Sequence, residues 1–252
     1  MALETRLRSR GSITADLVLP PPFRLITLRE VGDAFVHAQK VAIEEGAGTL
    51  VFVGRFDFAE FAVVLEPNEP LRTARRVFYA AMNALASALI ALAPPETEVT
   101  IDWPDALRVN GGLVGGGRLA WPKGTGESAT PPWLVFGGVI RLVSMTQDPG
   151  LFPLETALAE EGFEELGART LVEGFARHLM ATINSLQQDG FAATARDYLL
   201  HLAPEKGAQR RLDEAGDLLV ERTAGKKTNR RSLVSALAAT AWYDPKSGGL
   251  RR

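Results

Sequence analysis

The chain has 252 residues, 46% of them hydrophobic and 23% charged, which suits one sizeable core with a small appended domain. The formal net charge of -2 argues against a general nucleic-acid binder, and the absence of cysteine excludes disulfides, thiolate nucleophiles and cysteine metal sites. No run approaches the roughly 18 apolar residues of a membrane span, and the N-terminus lacks the apolar segment of a secretory signal, so a cytoplasmic protein is expected.

The first 50 residues predict an irregular arm and one helix. Residues 1–22 end in three prolines and predict the arm. Thr27-x-x-Glu30 has the form of a capping box, which would start a helix. Apolar residues then recur at helical spacing, and Gly46 would end the helix. The members of this stripe are Val31, Phe35, Ala38 and Ala42.

Short apolar runs between turn residues predict a sheet in the first half. These runs span residues 49–53, 61–65, 99–103 and 133–143. Asn110-Gly111-Gly112 is a strong turn signal and predicts a hairpin that joins residues 107–109 to 113–121. A long helix is expected at residues 70–93, ended by Pro94-Pro95.

The second half predicts helices and then a basic segment. Residues 154–163, 168–188 and 191–202 have helical patterns, and Ala203-Pro204 marks a boundary. Since strands come early and helices late, the pattern favours an α+β fold. The predicted organisation is an N-terminal arm (1–22), a main domain (23–203) and a small, basic, β-rich C-terminal domain (204–252).

The C-terminal segment is unevenly charged. From residue 205 onward 11 lysines and arginines stand against 6 aspartates and glutamates, whereas the rest of the chain has 17 against 24. Such a segment could hold an acidic partner, or it could be an ordinary solvated surface.

Residues 101–121 carry a resemblance to a known family. Trp103-Pro104-Asp105, Val109-Asn110-Gly111 and the pair Gly115-Gly116 follow one another there. This order resembles the active-site strand-turn-strand of the biotin/lipoate protein ligase family. Gly48-Thr49-Leu50-Val51 and Gly54-Arg55 resemble the early strand of that family, and the match runs in order through residues 23–202.

The resemblance implies a fold and a chemistry. The fold is that of biotin ligases and class II aminoacyl-tRNA synthetases, with a mixed, mainly antiparallel sheet flanked by helices. The implied chemistry activates a small carboxylic acid, such as biotin or lipoate, with ATP to an acyl-adenylate. A lysine of a biotinyl or lipoyl carrier domain then attacks the adenylate. Biotin or lipoate and ATP are therefore the candidate ligands, and a carrier domain is the candidate partner.

The sequence departs from this family at its catalytic lysine. Leu113, preceded by Gly112, stands where the ligases carry the lysine that stabilises charge on the carboxylate and phosphate. Arg118 is the candidate catalytic cation, but it could replace the lysine only if the strand register slipped, since a one-residue slip reverses the face of a side chain.

Two further departures concern charge and the ligand loop. Asp102 and Asp105 stand where the ligases mix a cation with anions, and they could be an acid/base pair or ordinary polar residues of a hairpin edge or turn. The ligases place a loop of Gly and Arg residues between the two early strands, but here only residues 54–60 connect them. Arg55 could contact a carboxylate or phosphate, or be a surface arginine.

The remaining candidates are ligand-binding residues. Trp103 could wall an acyl or ureido pocket or belong to the core, and Asn110 is assigned to binding because of its place in the motif. The run Gly115, Gly116 and Gly117 could let a flat ligand lie against the backbone, or it could be a bulge. No metal site is predicted, because the three histidines do not have metal-ligand spacing.

Two functions from different classes remain open at this point. The first is a ligase-like protein that binds a small carboxylic acid or its adenylate and transfers it to a carrier lysine. The alternative is a non-catalytic relative that acts as a ligand-binding or carrier-docking module.

Overall fold

The protein is described by a computed structural model that covers residues 17–29, 32–145, 154–163, 166–222 and 228–251. Seven strands form the main sheet: β1 (Arg24–Leu28), β2 (Thr49–Val53), β3 (Phe58–Leu65), β4 (Val99–Asp102), β5 (Ala106–Val109), β6 (Gly112–Ala120) and β7 (Leu134–Arg141). Their spatial order is β1-β2-β3-β7-β6-β5-β4. Only the β1–β2 pair is parallel.

Six α-helices accompany the sheet in the described residues: α1 (Ala34–Glu45), α2 (Leu71–Ala74), α3 (Val77–Leu92), α4 (Ala168–Gln188), α5 (Phe191–His201) and α6 (Leu233–Ala239). The α3 sequence is rich in alanine and leucine, the strongest helix formers, and nearly all of its faces are buried. A mixed, mainly antiparallel sheet flanked by helices confirms the predicted α+β class.

The main core lies between the sheet and helices α3, α4 and α5. Its centre is aromatic, with the Phe61 and Phe175 ring centroids 4.5 Å apart and the Phe136 ring stacked on Phe175. Helix α1 packs on the opposite face and covers β1, β2, β3 and the start of β7 through Ala34, Ala38 and Ala42. Helix α1 therefore leaves the β5–β6 side of that face to other elements.

The C-terminal part is small and β-rich. Strands β8 (Ala208–Leu212), β9 (Leu218–Arg222) and β10 (Asn229–Arg231) form an antiparallel sheet, and β11 (Tyr243–Asp244) pairs with β12 (Gly249–Leu250). Leu218 and Leu233 join the main core, and the Tyr79 hydroxyl donates to the Gly216 carbonyl. The boundary between residues 203 and 204 stays a prediction, and so does the irregular arm, of which residues 1–16 lie outside the described part.

Two sequence predictions near the N-terminus were wrong. Thr27 does not cap a helix, because it belongs to β1, whose residues pair along β2. Helix α1 starts later, and the Asp33 side chain accepts from Val36 N as its cap. Glu30 and Val31 of the expected capping box and stripe lie outside the described residues.

Two predicted helices also differ. The helix expected at residues 70–93 is divided at Arg75 and Arg76 into α2 and α3. The helix expected at residues 154–163 is only a 3-10 turn, Leu158–Glu161. Its first part bonds to the main sheet instead, since Leu113 N donates to the Leu154 carbonyl and Thr156 N donates to the Leu113 carbonyl.

No helix in the described part of the chain is both long and apolar enough to cross a membrane.

Candidate functional site

The candidate site lies on the face of β5, β6 and β7 that is turned away from the main core. Ala106, Gly116 and Val139 are register partners across these three strands and form a row on this face. We call the surface around this row the floor. Phe58 and Leu113 extend the same apolar cluster. The sheet therefore offers a second, smaller hydrophobic surface beside α1.

A β-bulge decides which residues of β6 reach the floor. Leu107 pairs with Gly115 and Arg108 pairs with Leu113, so Val114 is the extra residue of the bulge. Gly115 has φ 152°, and a Cβ on it would lie 1.9 Å from the Val139 carbonyl oxygen, so only glycine fits. Because of the bulge, both Leu113 and Gly116 reach the floor although three positions separate them.

The end of the chain covers the floor. Residues 242–250, which we call the C-terminal hairpin, place Trp242, Tyr243 and Leu250 in the same apolar cluster. Trp242 is 4% exposed, and a Cβ on Gly116 would lie 2.7 Å from its Cε2 atom. The indole therefore rests directly against the backbone of β6. The floor is filled with side chains of the chain itself.

Arg118 is the positively charged side chain beside the floor. Its guanidinium lies between two aromatic rings, 4.4 Å from the Phe35 centroid and 3.9 Å from the Tyr243 centroid. The Arg118 Nη2 atom is 3.4 Å from Asp33 Oδ1, the same oxygen that caps α1. The buried Nε atom of Arg118 has no hydrogen-bond partner among the described residues. The charge is thus largely removed from water and only weakly paired.

Arg55 lies at the rim of the floor and is strongly paired. Its Nε and Nη2 atoms donate to both Asp57 oxygens at 2.7 and 2.8 Å, and Nη1 donates to Glu60 Oε2 at 3.2 Å. The Asp57 hydrogen bond is the main reason that the pKa of Arg55 is raised above its usual value. Arg55 Nη1 also reaches the Gly248 carbonyl at 3.4 Å, which ties the rim to the C-terminal hairpin.

Glu60 holds the start of α1. Its side chain is almost fully buried, and Oε1 accepts from Ala34 N at 3.0 Å. Burial raises the pKa of Glu60, although the Ala34 N–H and Arg55 oppose this effect. The N–H groups of Ala34 and Val36 are therefore already bound to carboxylates, from Glu60 and Asp33.

Asp105 is a buried carboxyl beneath the C-terminal hairpin. It is 5% exposed, and burial raises its pKa from 3.8 to about 7, although the nearby Trp242 indole N–H and its own backbone N–H oppose the rise. Among the described residues, Asp105 Oδ2 and Trp242 Nε1 both lack a partner.

Two open cavities lie beside the C-terminal hairpin. One has a volume of about 480 Å³ and is lined by Asp33, Arg55 and Glu60 together with the turn of the hairpin. The other, of about 460 Å³, is lined by three arginines, two aspartates and several apolar side chains; the charged residues are Arg55, Arg141, Arg251, Asp57 and Asp244. Its apolar lining consists of Phe58, Val143, Met145 and Leu250.

The structure brings together some predicted site residues and separates others. Gly116 and Arg118 lie on the floor, and Arg55 lies at its rim. Gly117 faces the main core, where a Cβ would lie 2.6 Å from Met82 Sδ. Trp103 packs against the main core, and its Nε1 donates to the Tyr79 hydroxyl at 3.3 Å.

The other polar residues proposed for the site in the Asn-Gly hairpin make hydrogen bonds and an ion pair within the fold. Asn110 sits at its tip, where the side chain accepts from Glu98 N and donates to Glu161. Asp102 is bound to Arg108, with a distance of 2.6 Å from Nε to Oδ2, while Asp105 is buried elsewhere. The structure therefore places Asp102 in an ion pair at the hairpin edge and Asp105 in a buried position.

Sequence reasoning missed Glu60 and the aromatic pair Trp242 and Tyr243. The pair is followed by Asp244-Pro245 and by Ser247-Gly248-Gly249, a combination typical of a turn between two short strands. That signal could have predicted the C-terminal hairpin, though not the surface it covers. The described residues contain no group of three histidine, cysteine, aspartate or glutamate side chains that could hold a metal ion.

Comparison with known proteins identifies the same family as the sequence motif. A model of the biotin/lipoate A/B protein ligase family matches residues 19–200. The crystal structure of a biotin protein ligase-like protein of unknown function from Silicibacter sp. TM1040 is 29% identical, with a TM-score of 0.76 and coverage of 87% of this chain and 98% of that one. Among curated protein sequences, none is similar enough to count as a relative.

Two more distant structures share the fold. The biotin protein ligase from Aquifex aeolicus in complex with biotin and ATP is 14% identical, with a TM-score of 0.62 and coverage of 82% of this chain and 98% of that one. The Leishmania major ligase in complex with biotin is 15% identical, with a TM-score of 0.54 and coverage of 84% and 99%.

Proposed function

Since the chain belongs to the biotin/lipoate A/B protein ligase family, we propose that it binds a small carboxylic acid at the floor and does not activate that acid with ATP. Biotin, lipoate and related acyl acids are the candidates, because the family name includes the first two and the solved Aquifex and Leishmania relatives are in complex with biotin. The protein is on this proposal a non-catalytic binding module.

The observation that carries the proposal is the place of Leu113. It packs in the apolar cluster of the floor, with Trp242 and Val139 among its members, where the resemblance expects the catalytic lysine. Leucine cannot neutralise charge that develops on a carboxylate or an α-phosphate. A cluster of this composition also opposes the approach of an unpaired charge.

The surroundings of the floor do not favour a polyphosphate either. The connection between β2 and β3 has only four residues, 54–57, which is too short to fold over an adenylate. Ala34 N and Val36 N at the start of α1 bind carboxylates of this chain. Asp33, Asp57 and Glu60 together outweigh Arg55 at this rim, so a triply charged phosphate would meet repulsion.

Arg118 provides the anchor for a single carboxylate. Its guanidinium has lost most of its water, and its one ion pair among the described residues is the long contact with Asp33 Oδ1 at 3.4 Å. A ligand carboxylate could therefore gain a charge-assisted hydrogen bond from the unpartnered Nε–H group. The hydrocarbon part of the acid would take the place of side chains of the C-terminal hairpin in the apolar cluster next to Arg118.

Binding and pyrophosphate measurements test this proposal. Biotin, lipoate and octanoate should be titrated calorimetrically into the protein, and ATP should be titrated separately. One of the acids should bind and ATP should not. Arg118→Met should weaken acid binding by about tenfold or more, because one charge-assisted hydrogen bond is lost.

Arg211→Met is the matched control, because Arg211 is exposed on β8 and lies outside the floor. It should leave binding unchanged. Release of pyrophosphate from ATP that depends on an added acid would contradict the absence of activation. Equal affinity of the wild type and Arg118→Met would contradict the anchor.

Docking of a carrier domain stays a prediction. The basic C-terminal segment that could hold an acidic partner includes residues 223–227, which lie outside the described residues.

A further inference from the structure

The floor contains a flat slot that the chain fills with its own indole. Gly116 lies between Ala106 and Val139 in the row, so all three side chains under the ring are small or absent. A Cβ on Gly116 would lie 2.7 Å from Trp242 Cε2 and 2.0 Å from the Asp105 carbonyl oxygen. Glycine at this position is thus what allows a planar ring to lie on the sheet.

The slot contains an unused acceptor. Asp105 Oδ2 is buried and has no hydrogen-bond partner among the described residues, and the indole Nε1 of Trp242 is also without one. Buried polar atoms are normally paired, so the indole matches this slot in shape but not in hydrogen bonding. A ring with a better placed N–H donor would satisfy Asp105.

The hairpin that carries the indole is weakly tied to the sheet. Strands β11 and β12 have two residues each and pair with one another. In the described residues, no backbone hydrogen bond joins the C-terminal hairpin to strands β1 to β7. Among the described residues, its polar contacts with the site include the Gly248 carbonyl on Arg55, the Tyr243 side chain on Arg118 and the Trp242 indole N–H near Asp105. Few hydrogen bonds therefore oppose its movement.

We propose that the slot over Gly116 is a binding subsite for a planar ring with an N–H donor, and that Trp242 is an internal occupant which the ligand displaces. Asp105 accepts the donor. Arg118, two residues further on the same strand face and therefore about 7 Å away, binds a carboxylate of the same ligand. The Arg118 contact rests on the function proposed above, whereas the ring subsite and the displacement of Trp242 do not.

Refilling of the slot by a free ring tests the subsite. Trp242→Gly should lower the melting temperature, and indole at ten times its dissociation constant should restore about 3 to 6 °C. Benzothiophene, which has the same shape but no N–H group, should restore less. The wild type, whose slot is filled, and Trp121→Gly, which removes a tryptophan outside the floor, should not respond to indole.

Fluorine NMR tests displacement in the intact chain and does not require the glycine variant to fold. The chain has four tryptophans, so 5-fluorotryptophan labelling gives four signals, and Trp242→Phe identifies that of Trp242. Indole-3-propionic acid, which carries ring, donor and carboxylate, should move the Trp242 signal toward that of a solvent-exposed fluorotryptophan. The signals of Trp103 and Trp133 should remain.

The outcomes separate this inference from the proposed function. Binding of the acid without movement of the Trp242 signal would overturn displacement and leave acid binding intact. Failure of indole to stabilise a folded Trp242→Gly variant would overturn the ring subsite. If indole stabilises Trp242→Gly, the ring subsite is supported. If the affinity for the acid is unchanged in Arg118→Met, the carboxylate anchor is refuted.

Discussion

Replacement of Asp105 by asparagine should make the protein more stable at alkaline pH. Burial raises the pKa of this carboxyl from 3.8 to about 7 in the folded chain. The unfolded chain thus ionises more easily than the folded chain. The associated stability is fully present below about pH 4 and is lost as the pH rises through about 7.

The size of the effect follows from the interval between the two pKa values. Each pH unit in this interval changes the free energy of unfolding by about 1.4 kcal/mol, so the whole interval corresponds to about 4 kcal/mol. Asparagine has nearly the same shape and does not ionise. Asp105→Asn should therefore resemble the wild type at pH 4 and exceed its stability by about 4 kcal/mol at pH 8.

Urea denaturation at pH 4, 6 and 8 measures this difference, since it compares the two proteins under identical conditions. Asp57→Asn is the control, because its difference in stability from the wild type should stay nearly constant from pH 4 to 8. Burial alone would raise the pKa of Asp57, but the hydrogen bonds and charge of Arg55 bring it below the usual value. The stability that Asp57 contributes is thus lost only as the pH falls below about 4. A constant difference between Asp105→Asn and the wild type from pH 4 to 8 would refute the reasoning.

Three further substitutions test the packing around the floor and in the core. Gly137→Ala should lower the free energy of unfolding by about 1 to 3 kcal/mol in urea, because a Cβ there would lie 2.6 Å from Phe35 Cδ2; an unchanged value would mean that α1 shifts freely. Phe61→Ala should cost about 3 to 5 kcal/mol by the same measurement, since its buried ring contacts Phe175; a loss below about 1 kcal/mol would contradict the aromatic core. Leu113→Lys should lower the melting temperature most at acidic pH and less toward pH 10, because burial favours the neutral amine; the same loss at every pH would place residue 113 in water.

Much of the fold could be predicted from local patterns. The Asn-Gly turn fixed the hairpin of β5 and β6, and Asn110 and Gly111 have the positive φ values that this turn requires. Helix α4 has the predicted bounds, because its apolar residues repeat at helical spacing over six turns. Strand β1 could not be predicted in this way, since its parallel partner β2 lies more than 20 residues away along the chain.

The candidate site was less predictable than the fold. Arg118 and the Gly116 backbone could be proposed because they lie within the family motif. The surface that Trp242 covers could not, because its contacts with Gly116 and Ala106 join positions more than 120 residues apart. Such docking depends on which face of the sheet α1 leaves open, and no local pattern contains that information.

The bulge at Val114 and Gly115 changes which residues of β6 face the floor. After the bulge, the even-numbered residues Gly116 and Arg118 face the floor. Before the bulge, the odd-numbered residue Leu113 faces the floor. A simple count of alternating positions would therefore assign Leu113 to the wrong layer. Removal of Val114 would restore strict alternation with Leu113 still on the floor, so a single-codon deletion here should preserve the chemical identity of that surface and remove only a buried side chain from the main core.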